Sequence, residues 1–434
     1  MIEFNSRRAI EQRHAAIRQY LDLRQLYPFQ IETEPSDDLG LLVVIPCFDE
    51  SDLNRTLGSL ARCDAPGRDV EIIVVINGPE GMNETARENN LAVLRQITEW
   101  GSVSPARLPE WLRLFGLWYE DLPIRHAGVG MARKLGMDEA VGRIGQTHKA
   151  DGLIVCLDAD CEVDPNYLSQ IDKEFSMHRD CPGVSIYFEH PPPRGEASAL
   201  MEAIVDYELH LRCYVAGQRF ANFPYAFHTV GSAMACRGAS YAEQGGMNRR
   251  KAGEDFYFIQ KLVALGGYRA LNSATVYPAA RLSDRVPFGT GPAMKSSLNA
   301  DEVLSTFSPD IFLELRAFCT LVFEEPPSQV AKQVKDLPAA LAEFLQNQNF
   351  SERLIEIEDN VSDPANFRKR VFRWFNAFRF LKFAQFASRE HYAKIPVGIA
   401  ATQIANIAGI PGGQDCGNNT ELLSTFRRWD RHAG

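Results

Sequence analysis

The sequence predicts an α/β fold, a mostly parallel central sheet flanked by helices, and three observations lead there. Runs that are almost wholly apolar, residues 41–46, 70–76 (interrupted only by Glu71) and 152–157, alternate with segments of helical pattern. A strand apolar on both faces belongs in a parallel sheet covered on both sides. Each run empties into a polar cluster, Phe48-Asp49-Glu50, Asn77-Gly78 and Asp158-Ala159-Asp160, and in such sheets ligands collect at the carboxyl ends of the strands. The length, 434 residues, exceeds one ordinary domain and implies either a large central domain with appended segments or two to three domains.

The elements follow in chain order. Residues 5–28 read as a helix, with Ile10, Ile17, Leu21 and Leu26 near helical spacing, closed by Pro28 and the polar run 34–38. After the first strand comes a helix capped near Ser51 or Asp52. Strand 70–76 is expected to stop at Asn77-Gly78-Pro79, with a helix over 84–100 behind it. A short third strand is expected at 122–126, then Gly128 and a helix to about 141, then the strand that bears the aspartates. Beyond Asp164-Pro165 the pattern gives a helix to 177, a strand at 183–189, a proline block, a helix at 197–215 and a strand at 229–236. A loop to 252, a helix over 254–265 stopped by Gly266-Gly267, and a last strand at 268–277 complete the series. From 292 onward the chain is mainly helical. The expected regions are an N-terminal helical arm (1–38), an α/β domain (39–291) and a helical C-terminal region (292–434).

The aspartate pair is the most informative stretch. Taken as a continuation of the strand, Asp158 and Asp160 at i, i+2 point the same way, and two carboxylates held close favour a cation between them. A divalent metal that also holds phosphate oxygens suits such a place. The plainer alternative is a pair of turn residues after a strand.

Composition narrows the classes. The apolar fraction is 45% and the charged fraction 24%, as in soluble globular proteins. A net charge of −10 disfavours nucleic acid or anionic lipid as the main partner of the whole molecule. The nine cysteines are scattered without a C-x-x-C pair, which argues against a zinc ribbon or redox dithiol and for a reducing, cytoplasmic setting. There is no signal-peptide core at the N-terminus and no uninterrupted apolar window of about 18 residues. Residues 366–390 stand out: seven cations lie among Phe367, Phe372, Trp374, Phe375 and Phe378. The favoured reading is a core or dimer helix whose Arg stems run along apolar surface; the alternative is a helix lying peripherally on the inner face of a membrane.

Taken in order, Ile45-Pro46-Cys47-Phe48-Asp49-Glu50, Val75-Ile76-Asn77-Gly78, the run from Gly130 through Arg133 to Gly136, Asp158-Ala159-Asp160 and Gly253-Glu254-Asp255 resemble the inverting glycosyltransferases of family 2, which have the GT-A fold. The resemblance covers about residues 40–290. It implies transfer of a sugar from a nucleoside-diphosphate sugar to an acceptor hydroxyl, with inversion and without an enzyme nucleophile. It also implies Mn²⁺ or Mg²⁺ on Asp160, helped by Asp158, and Asp255 as general base with Glu254 orienting base or acceptor. Pro46, Phe48, Glu50, Asn77, Arg133 and Asp158 are implied around the nucleotide-sugar, with Arg281 and Arg285 as clamps on a diphosphate or an acidic acceptor. Two positions depart from the pattern: Asn77 stands where an Asp is frequent, and Asp49 where Asn is usual. His228 is the nearest guess for a further metal ligand and reads better as structural.

Ordinary roles stand beside these. Glu254 and Asp255 at a helix start stabilise the dipole, and Arg133 and Lys134 fit a solvated helix face. A sugar-phosphate nucleotidyltransferase shares the sheet, but Pro46-Cys47-Phe48-Asp49 replaces the Gly-rich loop that class needs after its first strand. A noncatalytic nucleotide-sugar-binding module is the other alternative.

Overall fold

A computed structural model describes residues 2–50, 53–100, 108–192, 198–280, 303–361 and 363–432. The chain divides into two compact units. The first comprises residues 1–194, 229–292 and 434, the second 195–228 and 293–433.

The first unit is mixed α/β. Its elements are α1 (Ile2–Arg24), β1 (Leu39–Cys47), α2 (Leu53–Ala61), β2 (Asp69–Pro79), α3 (Glu84–Thr98), β3 (Leu112–Leu122), α4 (Val129–Gln146), β4 (Leu153–Cys156), β5 (Glu162–Val163), α5 (Tyr167–Met177) and β6 (Gly183–Phe188). After the excursion that forms α6 (Ser198–Phe220) in the second unit come β7 (Met234–Arg237), α7 (Gly238–Glu243), α8 (Glu254–Val263) and β8 (Arg269–Tyr277). The eight strands form one sheet in the order β3-β2-β1-β4-β7-β6-β8-β5. The first four run parallel, β7 is antiparallel to both neighbours, β8 runs parallel to β6, and β5 is antiparallel to β8. This is the expected class, a mostly parallel sheet flanked by helices.

The chain adds β2 and β3 on one side of β1 and then crosses to place β4 on the other. That reversal is a topological switch point, where the connections leaving β1 and β4 diverge and open a crevice at their carboxyl ends. Residues of β1 and all of β4 are buried, as their uniform apolarity requires.

Several local expectations need correction. The third strand is Leu112–Leu122, ending where 122–126 was expected to begin. Its half-exposed alternation and its Arg113, Glu120 and Asp121 hide it from a search for buried runs. Strand β2 continues through Asn77 and Gly78 to Pro79 rather than stopping before them. The expected cap at Ser51 or Asp52 lies outside the described residues.

The N-terminal arm is part of the first unit, not a separate region. Helix α1 packs on α4 and α7, where Tyr20 donates to Asp138 Oδ1 at 2.6 Å and Lys134 Nζ donates to Tyr20 Oη at 2.8 Å and Asp138 Oδ2 at 2.8 Å. Beyond α1, Gln30 exchanges two 3.0 Å hydrogen bonds with the Trp118 backbone and so covers part of the edge strand β3. Residues 195–228 group with the C-terminal helices; the expected boundary at 291 recurs one residue on, at 292, while no division falls at 38.

Besides α6, the second unit contains β9 (Ser305–Thr306), α9 (Pro309–Glu324), α10 (Pro327–Gln333), a 3-10 turn (Val334–Asp336), α11 (Ala339–Asn347), α12 (Phe350–Asp359), α13 (Pro364–Trp374), α14 (Ala377–Glu390), β10 (Ile395–Pro396), α15 (Val397–Ile407) and α16 (Asn419–His432). Helix α6 packs against α9, α15 and α16. Residues 366–390 form two helices, broken where Asn376 caps α14 by accepting the N–H groups of Phe378 and Arg379. Phe367, Phe372, Phe375, Phe380 and Phe383 are buried, the packing role expected of them. Among the described residues no helix is long and apolar enough to cross a membrane.

Candidate functional site

Helix α4 organises the site. Fifteen consecutive residues, Gly130 to Ile144, are buried, although five carry charge. The expectation of a solvated face for Arg133 and Lys134 is therefore corrected. Each charge is matched: Lys134 by Asp138, Arg143 by Glu71 at 2.6 Å from Nη2, and Glu139 by the backbone N–H groups of Gln30 and Ile31. Buried ionic groups are tolerated only with such partners.

Arg133, 4% exposed, faces the switch point. Its Nη2 donates to Asp158 Oδ1 at 2.6 Å and its Nη1 to Glu254 Oε1, so one guanidinium joins the β4 loop to the start of α8. Burial alone would lower its pKa, but Asp158, Glu254 and Asp255 outweigh burial and raise it, so it remains a cation. Its Nε is buried without a hydrogen-bond partner among the described residues.

Two glycines make this approach possible. A Cβ on Gly231 would lie 2.4 Å from Arg133 Nη1, and one on Gly130 would lie 2.1 Å from the Arg250 carbonyl oxygen and 3.1 Å from Glu254 Cγ. Gly231→Ala is expected to push the guanidinium off its two carboxylates, lower the melting temperature and weaken ligand binding. Calorimetry checks this, and wild-type values for both would remove Gly231 from the account.

The aspartate pair is not an extension of the strand. β4 ends at Cys156, and Asp158 to Cys161 form a turn in which Cys161 N–H donates to Asp158 O at 3.1 Å. The alternation argument for parallel side chains therefore does not apply to Asp158 and Asp160. Both side chains remain half-buried on the rim. Asp158 is already engaged on one oxygen, so the pair suits a hard cation that completes its shell with phosphate oxygens and water. A closed protein cage is not available: among the described residues no three His, Cys, Asp or Glu side chains gather to hold a metal. His228 belongs to the second unit, with its Nε2 3.1 Å from Asp430 Oδ2.

Asp255 follows Glu254 in the first turn of α8, behind Gly253 in a left-handed conformation (φ 71°). Its Oδ1 accepts the Phe256 N–H at 2.7 Å. Burial, then the neighbouring Glu254, raises its pKa to about 6 against the opposing pull of Arg133. Glu254 is buried and committed to Arg133 rather than to the helix end.

The β1 end supplies a third wall, with Pro46 and Glu50 buried and Phe48 half-buried. Asp49 has φ 48°, and α3 pins it there: Asn90 Oδ1 accepts the Asp49 N–H at 2.8 Å and Asn89 Nδ2 donates to Asp49 Oδ1 at 2.7 Å. Asn77 is buried at the end of β2. Sequence reasoning missed Asn89 and Asn90; two adjacent asparagines inside a helix, where they are poor helix formers, were the available signal. Arg281 and Arg285 lie outside the described residues.

Fold and cluster together define an α/β protein with a guanidinium-linked carboxylate site at the switch point of its sheet. No family model matches the chain, and no curated protein matches it. Among solved structures it is similar to Staphylococcus aureus TarS residues 1–349 in complex with UDP-GlcNAc, at 13% identity over 91% of each chain with a TM-score of 0.39. The UDP complex of the same fragment matches at 13% identity over 91% of each chain, TM-score 0.36. A longer S. aureus TarS structure matches at 13% identity over 90% of this chain and 54% of that one, TM-score 0.36. At this level of likeness no residue or ligand is carried across.

Proposed function

We propose that the first unit is a GT-A-type inverting glycosyltransferase that uses a nucleoside-diphosphate sugar. The observation that carries the reading is the Arg133 bridge between Asp158 and Glu254, beside an Asp255 whose pKa is raised to about 6. A fixed cation, an acidic rim and a tunable carboxylate meet where this topology opens its crevice.

In this reading the diphosphate lies over the Asp158–Asp160 turn, on the side of the Arg133 guanidinium. A bound Mn²⁺ or Mg²⁺ would supply Lewis-acid neutralisation of the departing diphosphate, with Asp160 and the second oxygen of Asp158 as its protein ligands. The acceptor oxygen attacks the anomeric carbon from the face opposite the diphosphate. The carbon–oxygen bond to the diphosphate breaks and its electron pair leaves with that oxygen. The acceptor's proton passes to the Asp255 carboxylate. One in-line displacement inverts the centre and needs no protein nucleophile. Phe48, Asn77 and the Asp49 loop face the nucleoside, with Asn89 and Asn90 as positioning residues.

A thermal-shift panel of UDP, GDP, ADP and CDP, with and without Mn²⁺, tests the reading, with UDP-GlcNAc included as one probe sugar. One diphosphate should raise the midpoint, by about 2.7 kcal/mol of added stability at about 100 times its dissociation constant. A flat response across the panel in both conditions would defeat the proposal.

A further inference from the structure

Helix α13 of the second unit has two faces of opposite character. Phe367, Val371 and Phe372 are buried. Asn366, Lys369, Arg370 and Arg373 are exposed, and their spacing of i, i+3, i+4 and i+7 puts them on one side of the helix. A fourth cation, half-buried Arg368, lies toward the buried side of the helix, away from Lys369, Arg370 and Arg373. Among the described residues none of the four cations has an ion-pair partner, in a protein whose net charge is −10. The nearest acid in sequence, Asp363, is engaged at the helix start by the Asn366 N–H at 3.0 Å.

Aromatic side chains border this face. Trp374 is half-buried with the Arg379 guanidinium 4.0 Å from its ring centroid, and Phe378 is half-buried with Lys382 Nζ at 4.7 Å. Phe323, 37% exposed, stacks on Phe372 at 5.1 Å. Cations alone would suit any polyanion. Cations beside partly exposed rings suit a surface that is charged outside and apolar just below, the headgroup region of a bilayer.

We propose that the exposed face of α13 is an electrostatic docking surface for a bilayer containing anionic lipid. Because the main aromatic stripe is buried in the second unit, the contact is peripheral and reversible, with ring edges at headgroup depth rather than an inserted helix. The proposal does not depend on the chemistry of the first unit. It reconciles the net negative charge with a membrane partner, because attraction acts over about a Debye length, ~10 Å at 0.1 M salt.

The test is sedimentation of the full chain with vesicles of pure phosphatidylcholine or of phosphatidylcholine with 30% phosphatidylglycerol. Expected is binding to the anionic vesicles at low salt, release on raising salt, and no binding to the neutral ones. The triple variant Lys369→Gln/Arg370→Gln/Arg373→Gln changes only exposed side chains. It should keep the wild-type melting temperature and bind on the order of a hundredfold more weakly, as ~1 kcal/mol per basic residue implies. Equal binding to both vesicle types, undiminished binding by the triple variant, or no binding at all would overturn the proposal. Capture by heparin or polyphosphate but not by vesicles would overturn it in favour of a soluble polyanion.

Discussion

Asp255→Asn is expected to lower sugar transfer by about 10²–10⁴-fold while leaving nucleotide affinity within a few-fold of wild type. A positioned general base contributes that order of rate, and the substitution keeps the volume and the Phe256 N–H contact of the side chain. The pH dependence sharpens the test. The base acts as a carboxylate, so kcat/KM of the wild type should rise with pH through about 6, the value to which burial and Glu254 lift Asp255, and level off above. The rise should vanish in Asp255→Asn. Stability runs the opposite way: a folded pKa above the unfolded one, ~3.9, adds stability below the unfolded value that is lost as pH climbs through about 6. Nucleotide affinity collapsing together with turnover would remove Asp255 from the base role.

Asp430→Asn is expected to be the most damaging single change to the second unit. Asp430, on α16 and 2% exposed, receives Arg212 Nη1, Arg219 Nη1 at 2.5 Å and His228 Nε2 at 3.1 Å. Arg212 is fully buried and also pairs with Glu208, which in turn binds Arg427 Nη2 at 2.5 Å. Removing this carboxylate takes from Arg219 its ion-pair partner and leaves buried Arg212 to share Glu208 with Arg427, a loss of about 3–5 kcal/mol. Burial alone would raise the Asp430 pKa, but His228, Arg212 and Arg219 drive it well below the usual carboxylate range. Its contribution is therefore complete above the unfolded pKa of ~3.9 and declines as pH falls below it. Thermal melts from pH 3 to 7 should show the second unit losing stability in acid, with the variant already destabilised at pH 7 and flatter below pH 4. A variant that melts with the wild type at pH 7 would mean that water replaces the lost carboxylate.

The parts of the fold legible in the sequence were those where one physical demand dominates. β1, β2, β4 and β6 are buried on both faces, and their mainly apolar runs announce them. β3 is a half-exposed edge strand and carries no such mark. The burial of α4 was unreadable because several of its charges are satisfied by residues distant in sequence: Arg133 by Glu254, Arg143 by Glu71. Asp158, Glu254 and Asp255 were found as isolated motifs, but that one guanidinium ties two of them together follows only from tertiary packing. The pinning of Asp49 by Asn89 and Asn90 was likewise invisible, since it joins a loop to the following helix unit.

The excursion of residues 195–228 out of the first unit has a practical consequence for anyone dissecting the molecule. A truncation ending at 292 would sever α6 from α9, α15 and α16 and strip the cover from Leu209, Cys213 and Ala216, all buried in the intact chain. The polypeptide threads the sheet unit, departs and comes back, so a single cut cannot liberate either half intact. Separating them calls for excision of 195–228 with a short splice between flanking segments, and the piece removed must travel with the C-terminal helices.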